Sequence, residues 1–182
     1  MLNRTIKIFI ATSLDGYIAT KEESLDWLFS VEGEGDNGYS EFYETIDTVV
    51  MGRRTYDWIM KHELETFPYA DKDCYVFTME QREDTEYVSF VHDSVKEFVE
   101  RLTESKDRNI WIVGGGQLIS DFLNASLIDE MIITIAPVLI GKGIPLFNEA
   151  DYEIELERIN TRVFNQFVEL HYKVVPKDIE AR

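Results

Sequence analysis

The segment Ile110-Trp111-Ile112-Val113-Gly114-Gly115-Gly116-Gln117-Leu118 carries the clearest information about the fold. Its apolar start indicates a buried strand, and the spacing of Leu118, Ile119, Phe122 and Leu123 indicates a helix directly after the glycines. Glycines at such a turn let a phosphate approach the backbone, and the helix start points free N–H groups at it. The segment predicts either a phosphate site or a tight turn without a ligand, and the motif alone leaves both open.

A second segment repeats the order of strand, glycine and helix. It reads Thr48-Val49-Val50-Met51-Gly52-Arg53-Arg54-Thr55-Tyr56 and adds two arginines, whose guanidinium groups suit phosphate. The alternative is that both arginines form surface ion pairs with the abundant carboxylates. Two such units in one α/β sheet suggest a dinucleotide bound at the carboxyl edge of the strands. Neither unit has the spacing of the ordinary Rossmann fingerprint or of a P-loop.

The rest of the chain alternates strands with amphipathic helices, which is typical of an α/β protein. We expect one domain over residues 1–182, with a mostly parallel central sheet flanked by helices and made mixed by a C-terminal antiparallel hairpin. The predicted strands are Thr5–Thr12, Thr48–Met51, Cys74–Thr78, Tyr87–Val91, Asn109–Val113 and Glu130–Val138, and the predicted helices are Tyr39–Ile46, Arg54–Lys61, Val95–Leu102 and the segment that follows Gly116.

Composition excludes several classes of function. The 182 residues carry 18 Lys plus Arg against 35 Asp plus Glu, and this net charge of −17 repels nucleic acid and anionic membranes. Cys74 is the only cysteine, which excludes an intrachain disulfide and favours a cytoplasmic location. The histidines lack the spacing of metal ligands, so we expect no metal. No apolar run is long enough to span a membrane.

Four segments together resemble a known superfamily: Ser13–Ala19 with its Asp15-Gly16 turn, Val49–Tyr56, Val113–Gly116 and Ala136–Phe147. The first three are similar to the dihydrofolate reductase superfold, and the fourth more closely resembles the riboflavin-biosynthesis reductases of the RibD C-terminal domain family. The resemblance covers roughly Ile6–Val174. It implies a three-layer dihydrofolate reductase-like fold and an NADPH-dependent oxidoreductase that transfers hydride to a C=N or carbonyl-type acceptor.

The resemblance also implies which residues bind the cofactor. Ala11 and Ile18 would line the nicotinamide pocket. The other expected cofactor contacts, mainly to its phosphates, are Gly52, Arg53, Arg54, Thr55, Thr78, Val113, Gly114, Gly115, Gly116, Gln117 and Leu118. A cis peptide bond between Gly115 and Gly116 is expected on the same basis. Glu80 departs from the pattern, because a carboxylate there would repel the 2′-phosphate of NADPH.

Fewer sequence features indicate which residues bind the hydride acceptor. Counting back from Gly52 places the proton-donating acid of dihydrofolate reductases at Asp36, whose alternative role is to cap the following helix. By resemblance, a flat substrate ring would be surrounded by Trp27, Leu28, Phe42, Ile59 and Thr134. For each of these the alternative is ordinary core packing.

The resemblance favours reduction of 5-amino-6-(5-phosphoribosylamino)uracil, a step of riboflavin biosynthesis. The alternative substrate is a dihydrofolate or another pterin. A function of another class also stays open, that of a non-catalytic dinucleotide-binding protein. Relatives on this branch are commonly homodimers, and the apolar stretch Met131–Leu139 could extend toward a partner.

Overall fold

Strands and helices alternate along the chain, as the apolar periodicity predicts. The computed structural model describes residues 4–62, 66–103 and 108–177. The elements are β1 (Arg4–Ser13), β2 (Tyr17–Ala19), α1 (Asp26–Phe29), α2 (Tyr39–Glu44), β3 (Thr48–Gly52), α3 (Arg53–His62), β4 (Asp73–Phe77), β5 (Val88–Val91), α4 (Val95–Thr103), β6 (Arg108–Gly114), α5 (Gly116–Asn124), β7 (Glu130–Ala136), β8 (Ile144–Pro145), β9 (Leu156–Phe164) and β10 (Phe167–Val174).

One mixed sheet of eight strands has the order β5-β4-β3-β6-β1-β7-β10-β9. The strands from β5 to β7 pair in parallel, and β10 runs antiparallel to both β7 and β9. Strands β2 and β8 form a separate antiparallel ribbon. The predicted fold class is confirmed, including the C-terminal hairpin, and the predicted strand Glu130–Val138 ends two residues early at Ala136.

Each face of the sheet buries its own apolar core, because side chains alternate along a strand. On one face, α4 and α5 place Phe98 and Phe122 against Ile8 of β1. On the other, α2 and α3 place Phe42 and Ile59 over the central strands. This second face also carries Phe9 and Trp111, and it becomes important for the site described below.

The parallel strands bring several chain turns to one edge of the sheet. Helix α3 begins at Arg53 directly after β3, and α5 begins at Gly116, two residues after β6 ends. Because parallel strands run in one direction, both helix N-termini lie at the same edge. This edge is therefore the place where the fold gathers backbone N–H groups that lack intrahelical partners.

A hydrogen-bonded turn holds the end of β1 against a distant segment. The Asp15 carboxylate accepts hydrogen bonds from the Ser13 hydroxyl at 2.6 Å and from the backbone N–H groups of Gly141 at 2.7 Å and Ile140 at 3.3 Å. The Ser13 hydroxyl bond, with the two backbone bonds, keeps the pKa of Asp15 below its ordinary value. The predicted Asp15-Gly16 turn thus connects β1 to the chain that follows β7.

The stretch proposed above to reach a partner is used inside the sheet. Met131–Ala136 belongs to β7, which pairs with β1 on one side and β10 on the other, so its backbone groups are satisfied within the chain. Beyond Ala136 the stretch reaches the protein surface, where Leu139 is 71% exposed. The strand therefore gives no support to a homodimer. Among the described residues, no helix is long and apolar enough to cross a membrane.

The packing of α5 predicts a large cost for opening its core. Phe122 is fully buried and packs edge-on against Phe77. We expect Phe122→Ala to lower the free energy of unfolding by roughly 3 to 5 kcal/mol, because it leaves a cavity. Phe29→Ala is the control, since that ring is 72% exposed and its loss should cost less than about 0.5 kcal/mol. Urea unfolding measures both, and equal effects would show that α5 does not anchor the core.

Candidate active site

A cavity of about 1010 Å³ opens at the carboxyl edge of the parallel strands. It extends from the ends of β4 and β5, across β3 and β6, to the end of β1, and then onto the sheet face covered by α2 and α3. All the predicted cofactor residues line it: Ala11, Ile18, Gly52, Arg53, Arg54, Thr55, Thr78, Val113, Gly114, Gly115, Gly116, Gln117 and Leu118.

The two glycine units meet in this cavity. A Cβ built on Gly52 would lie 3.7 Å from both the Gly114 carbonyl oxygen and the Gly115 nitrogen. A Cβ on Gly115 would lie 3.8 Å from the Thr55 hydroxyl oxygen, so side chain and backbone donors converge there. With the starts of α3 and α5 directly behind, the local field favours an anion. These residues fit the phosphates of a dinucleotide.

Two of the glycines are required by the local geometry. Gly114 has a φ of 140°, a conformation that other residues rarely adopt. Gly116 has a negative φ but lies so close to the ribbon that a Cβ would come within 2.6 Å of the Pro145 carbonyl oxygen. The predicted cis bond between Gly115 and Gly116 is wrong: the cis bond joins Gly114 to Gly115, one peptide earlier.

Arg53 belongs to a network of two arginines and two carboxylates. Its Nη1 lies 3.0 Å from Asp57 and its Nε 3.4 Å from Glu80, while Arg82 contacts the same two carboxylates at 2.7 and 3.1 Å. The contacts with Asp57 and Glu80 raise the pKa of Arg82, with the Asp57 hydrogen bond as the largest cause. The network carries no net charge. Arg53 lines the cavity and pairs with carboxylates at the same time, whereas Arg82 is not among the residues that line it.

Arg54 lines the part of the cavity that leads toward α1. It pairs with Glu23, a residue of the loop between β2 and α1, and its side chain is 70% exposed. The Glu23 backbone carbonyl in turn accepts a hydrogen bond of 3.1 Å from the Trp58 indole. This contact connects the loop to α3 and forms one wall of the cavity.

The opposite end of the cavity, by β4 and β5, combines polar groups with apolar walls. The Thr78 hydroxyl accepts the Glu80 backbone N–H at 3.0 Å, and the Thr78 carbonyl accepts the His92 Nδ1–H at 2.9 Å. Phe77 and Val95 add apolar walls. Thr78 is thus held by backbone and ring contacts at the place where the resemblance expects the adenosine.

The acceptor end lies on the sheet face beyond Ala11 and is lined mainly by aromatic side chains. Phe9, two residues before Ala11 and on the same face, packs edge-on with Trp111 at 6.2 Å between ring centroids. Tyr39 and Tyr69 also contact Trp111 edge-on, at 6.0 and 5.5 Å. Burial raises the pKa of Tyr39, with Asp71 and Asp36 contributing, so its hydroxyl stays neutral.

Asp36 does not lie in the cavity, which corrects its predicted catalytic role. Its carboxylate is exposed and accepts the backbone N–H groups of Gly38 at 3.1 Å and Ser40 at 2.8 Å, at the start of α2, whose N-cap residue is Gly38. Hydrogen bonds from Ser40 hold the pKa of Asp36 below its ordinary value. A carboxylate that stays ionised at neutral pH is a poor proton donor.

The predicted ring-binding residues divide into two groups. Leu28 and Ile59 line the cavity, whereas Trp27, Phe42 and Thr134 do not, which corrects those three predictions. Trp27 precedes Leu28 on α1, and adjacent helical positions point in different directions. Phe42 lies behind the cavity wall, stacked on Phe9 at 4.2 Å. Thr134 is buried in β7 beside Ala11.

Several wall residues were not among the sequence candidates: Phe9, Glu23, Tyr39, Trp58, Tyr69, Trp111 and Ile144. For Phe9 and Trp111 a usable signal exists, since each lies two residues before a predicted cavity residue on the same strand face. Tyr39 and Trp58 lie inside predicted helices, and a position in a helix does not distinguish core from cavity. Within residues 4–62, 66–103 and 108–177, no three His, Cys, Asp or Glu side chains group as a metal site would require.

The network around Arg53 predicts that Glu80 opposes the 2′-phosphate of NADPH. Glu80→Gln should lower the Kd for NADPH about fivefold relative to NADH, because unit charges about 4 Å apart in water interact by about 1 kcal/mol. Parallel fluorescence titrations measure it. Glu83→Gln is the matched control, since it removes an equal charge from an exposed position three residues away. An unchanged ratio of the two Kd values would place Glu80 outside cofactor recognition.

Asp36→Asn should leave cofactor affinity unchanged and any NADPH oxidation by the protein within about twofold of the wild type, because Asp36 lies outside the cavity and an Asn side-chain oxygen also accepts backbone N–H groups. The folded-state pKa of Asp36 is depressed, so its ionised form stabilises the fold above the ordinary carboxyl pKa, and this contribution is lost as pH falls through the folded-state value. The variant should therefore lose less stability on acidification. Urea unfolding from pH 3 to 7 measures this pH dependence. Strongly reduced turnover in a well-folded variant would instead show that Asp36 takes part in the reaction.

Comparisons with known proteins agree with the geometry. The family model of the RibD C-terminal domain matches residues 4–168. The uncharacterized protein YwjB of Bacillus subtilis strain 168 is 48% identical over 172 residues, covering 94% of this chain and 98% of that protein. A crystal structure from Shewanella sp. PV-4, named for riboflavin biosynthesis, is 34% identical with a TM-score of 0.87, covering 94% of this chain and 99% of that one.

The fold is also shared more widely. Dihydrofolate reductase of Enterococcus faecalis, in a complex with NADP(H), has a TM-score of 0.67 at 18% identity, covering 94% of this chain and 97% of that one. At that identity the likeness concerns the fold alone. The family match spans most of the chain, and the Bacillus subtilis relative covers nearly all of it. The chain therefore belongs to the RibD C-terminal domain family and has a dihydrofolate reductase-like fold.

Proposed function

We propose that this chain is an NADPH-dependent reductase that transfers hydride to a C=N or carbonyl-type group of a heterocyclic acceptor. The observation that carries the proposal is the continuity of the cavity. One part offers two helix N-termini, close glycine backbones and Arg53, and the other part is an apolar ring pocket. The two parts meet at Ala11, where the resemblance expects the nicotinamide.

Bound NADPH would supply the hydride, and the chain's own residues would hold and orient it. The starts of α3 and α5, with Gly52 and Gly115 between them, would hold the phosphates. Arg53 is the leading candidate for the 2′-phosphate, with Arg82 next to it in the same network. Ala11 and Ile18 would cover the nicotinamide and help to exclude water from it.

In this proposal the proton that follows the hydride comes from water. The carboxylates that line the described part of the cavity are Glu23, Glu80, Asp93 and Asp121, and each one contacts a neighbouring cation or amide. None of them belongs to the ring-lined wall formed by Phe9, Tyr39, Tyr69 and Trp111, where the acceptor would sit. An open cavity gives water access to that end.

Two acceptors follow from the sequence, and both stay predictions. The resemblance of Ala136–Phe147 to riboflavin-biosynthesis reductases favours 5-amino-6-(5-phosphoribosylamino)uracil. A dihydrofolate or another pterin is the second candidate, and the shared fold of the Enterococcus faecalis enzyme is its support. The alternative of another class is a dinucleotide-binding protein without turnover. NADPH oxidation with pterins, pyrimidines and simple carbonyls separates this alternative from an enzyme.

Titration with NADPH and NADH tests the cofactor assignment without a known substrate. We expect NADPH to quench tryptophan fluorescence, because Trp58 and Trp111 line the cavity. Arg53→Ala should raise the Kd for NADPH roughly tenfold or more, since a charge-assisted hydrogen bond contributes about 1.5 to 3 kcal/mol. Arg158→Ala is the control, because it removes an exposed arginine from the edge strand β9 at the other side of the sheet.

Failure to bind either nucleotide would overturn the reductase proposal. Equal affinities in the Arg53 and Arg158 variants would instead place the phosphates elsewhere. The cytoplasmic location and the homodimer expected from the sequence stay predictions.

A further inference from the structure

We infer that the acceptor is a flat, uncharged aromatic ring compound that carries no phosphate. This inference rests on the proposed reductase function, and it departs from the phosphoribosylated uracil that the resemblance favours. The observation behind it is the uneven distribution of charge along the cavity. The cavity's two arginines directly follow the β3 glycine turn and each pairs with a carboxylate, while its acceptor end presents ring faces and aliphatic groups.

The acceptor end offers planar apolar surface and few free polar groups. Its described walls are Phe9, Leu28, Tyr39, Ile59, Tyr69 and Trp111. The Trp111 indole already donates to the Phe9 carbonyl oxygen at 3.1 Å, so it is not available to a ligand. Tyr39 contributes a neutral hydroxyl. Ring faces set edge-on to one another suit a stacked aromatic ligand, and a dianionic phosphate placed there would lose its hydration without compensation.

The cations that could hold a phosphate are engaged elsewhere. Among the described residues that line the cavity, the lysine or arginine side chains are Arg53 and Arg54. Arg53 pairs with Asp57 and Glu80, and Arg54 pairs with Glu23. The remaining groups that could bind a phosphate lie beside the glycine turns. The proposed cofactor would occupy them with its own phosphates. An acceptor phosphate would compete with the cofactor for the same arginines.

A groove beside the acceptor end gives no better phosphate site. It encloses about 690 Å³ beyond Trp58 and shares Glu23, Arg53 and Arg54 with the main cavity. The side chains that line it include Glu22, Glu23, Asp26, Asp57, Arg53, Arg54, Lys61 and His62. Carboxylates thus outnumber the arginines and lysine, and the whole chain carries a charge of −17. A phosphate entering this groove meets a net repulsive field.

A matched pair of probes tests the inference: riboflavin and its 5′-phosphate, FMN, share one ring system and differ by a dianionic group. Flavin fluorescence anisotropy, measured with the protein saturated with NADP⁺ so that no turnover occurs, gives both Kd values. We expect riboflavin to bind at least tenfold more tightly than FMN, with little change when salt is raised. Lumazine, a smaller uncharged ring, is measured by competition with riboflavin or by calorimetry.

Added charge should reverse the preference. Leu28→Lys places a cation in the acceptor end and should make FMN the tighter ligand, whereas Ser30→Lys adds the same charge at an exposed position outside both cavities and should leave the ratio unchanged. Lys61→Ala should also leave FMN affinity unchanged, because the inference gives the phosphate no place at Lys61. NADP⁺ affinity is measured for every variant and separates local effects from misfolding.

The outcomes distinguish this inference from the proposed function. If NADP⁺ binds and FMN binds as tightly as riboflavin, or loses affinity in Lys61→Ala, the inference of an unphosphorylated acceptor is overturned while the reductase proposal stands. If NADP⁺ binds and neither riboflavin nor lumazine does, the flat aromatic acceptor is overturned as well. If NADP⁺ itself does not bind, the proposed function fails first.

Discussion

The parallel pairing of β3 with β6 is the constraint on which the site depends. Both strands end in glycine, and the pairing shifts register between Val50 and Met51, so that Met51 lies opposite Gly114. This shift places the Gly52 and Gly114 turns against each other at one edge of the sheet. Helices α3 and α5 then begin side by side, and their N-termini add to a single local field in a strongly acidic chain. Antiparallel pairing would have sent the two turns to opposite edges.

The second organising feature is the separation of polar and apolar chemistry within one cavity. At the strand ends the backbone itself supplies donors, and arginine–carboxylate pairs hold the guanidinium groups in fixed positions. On the sheet face under α2 and α3, the alternation of side chains along β1 presents Phe9 and Ala11 to the same pocket. The two environments meet at Ala11. This is the arrangement expected of a protein that brings a charged nucleotide against an uncharged ring.

The ion pairs around the cavity also limit what its charged groups can do. Asp57 and Glu80 neutralise Arg53 and Arg82, and Glu23 neutralises Arg54. These pairs therefore hold the charged side chains in defined orientations and add no net charge to the cavity. Exposed pairs of this kind add little to stability. Their contribution is to fix where the cavity wall presents a donor and where it presents a carboxylate, so the proposed cofactor selection would depend on single residues such as Glu80.

The sequence by itself determined the fold class, the family and the residues at the glycine-turn end of the cavity. Those features depend on local order, since a strand, a glycine and a helix start occupy consecutive positions, and parallel strands bring such units to one edge. The tertiary structure decided the acceptor end. In the sequence, Trp111 looks like an ordinary buried residue, and only the packing of β1, α2 and α3 shows that it lines the pocket. The sequence is equally consistent with Asp36 as a helix cap or as a proton donor, and only its hydrogen bonds distinguish the two. Which side chains share a pocket depends on strand pairing and helix docking between distant segments, and local periodicity does not encode those contacts.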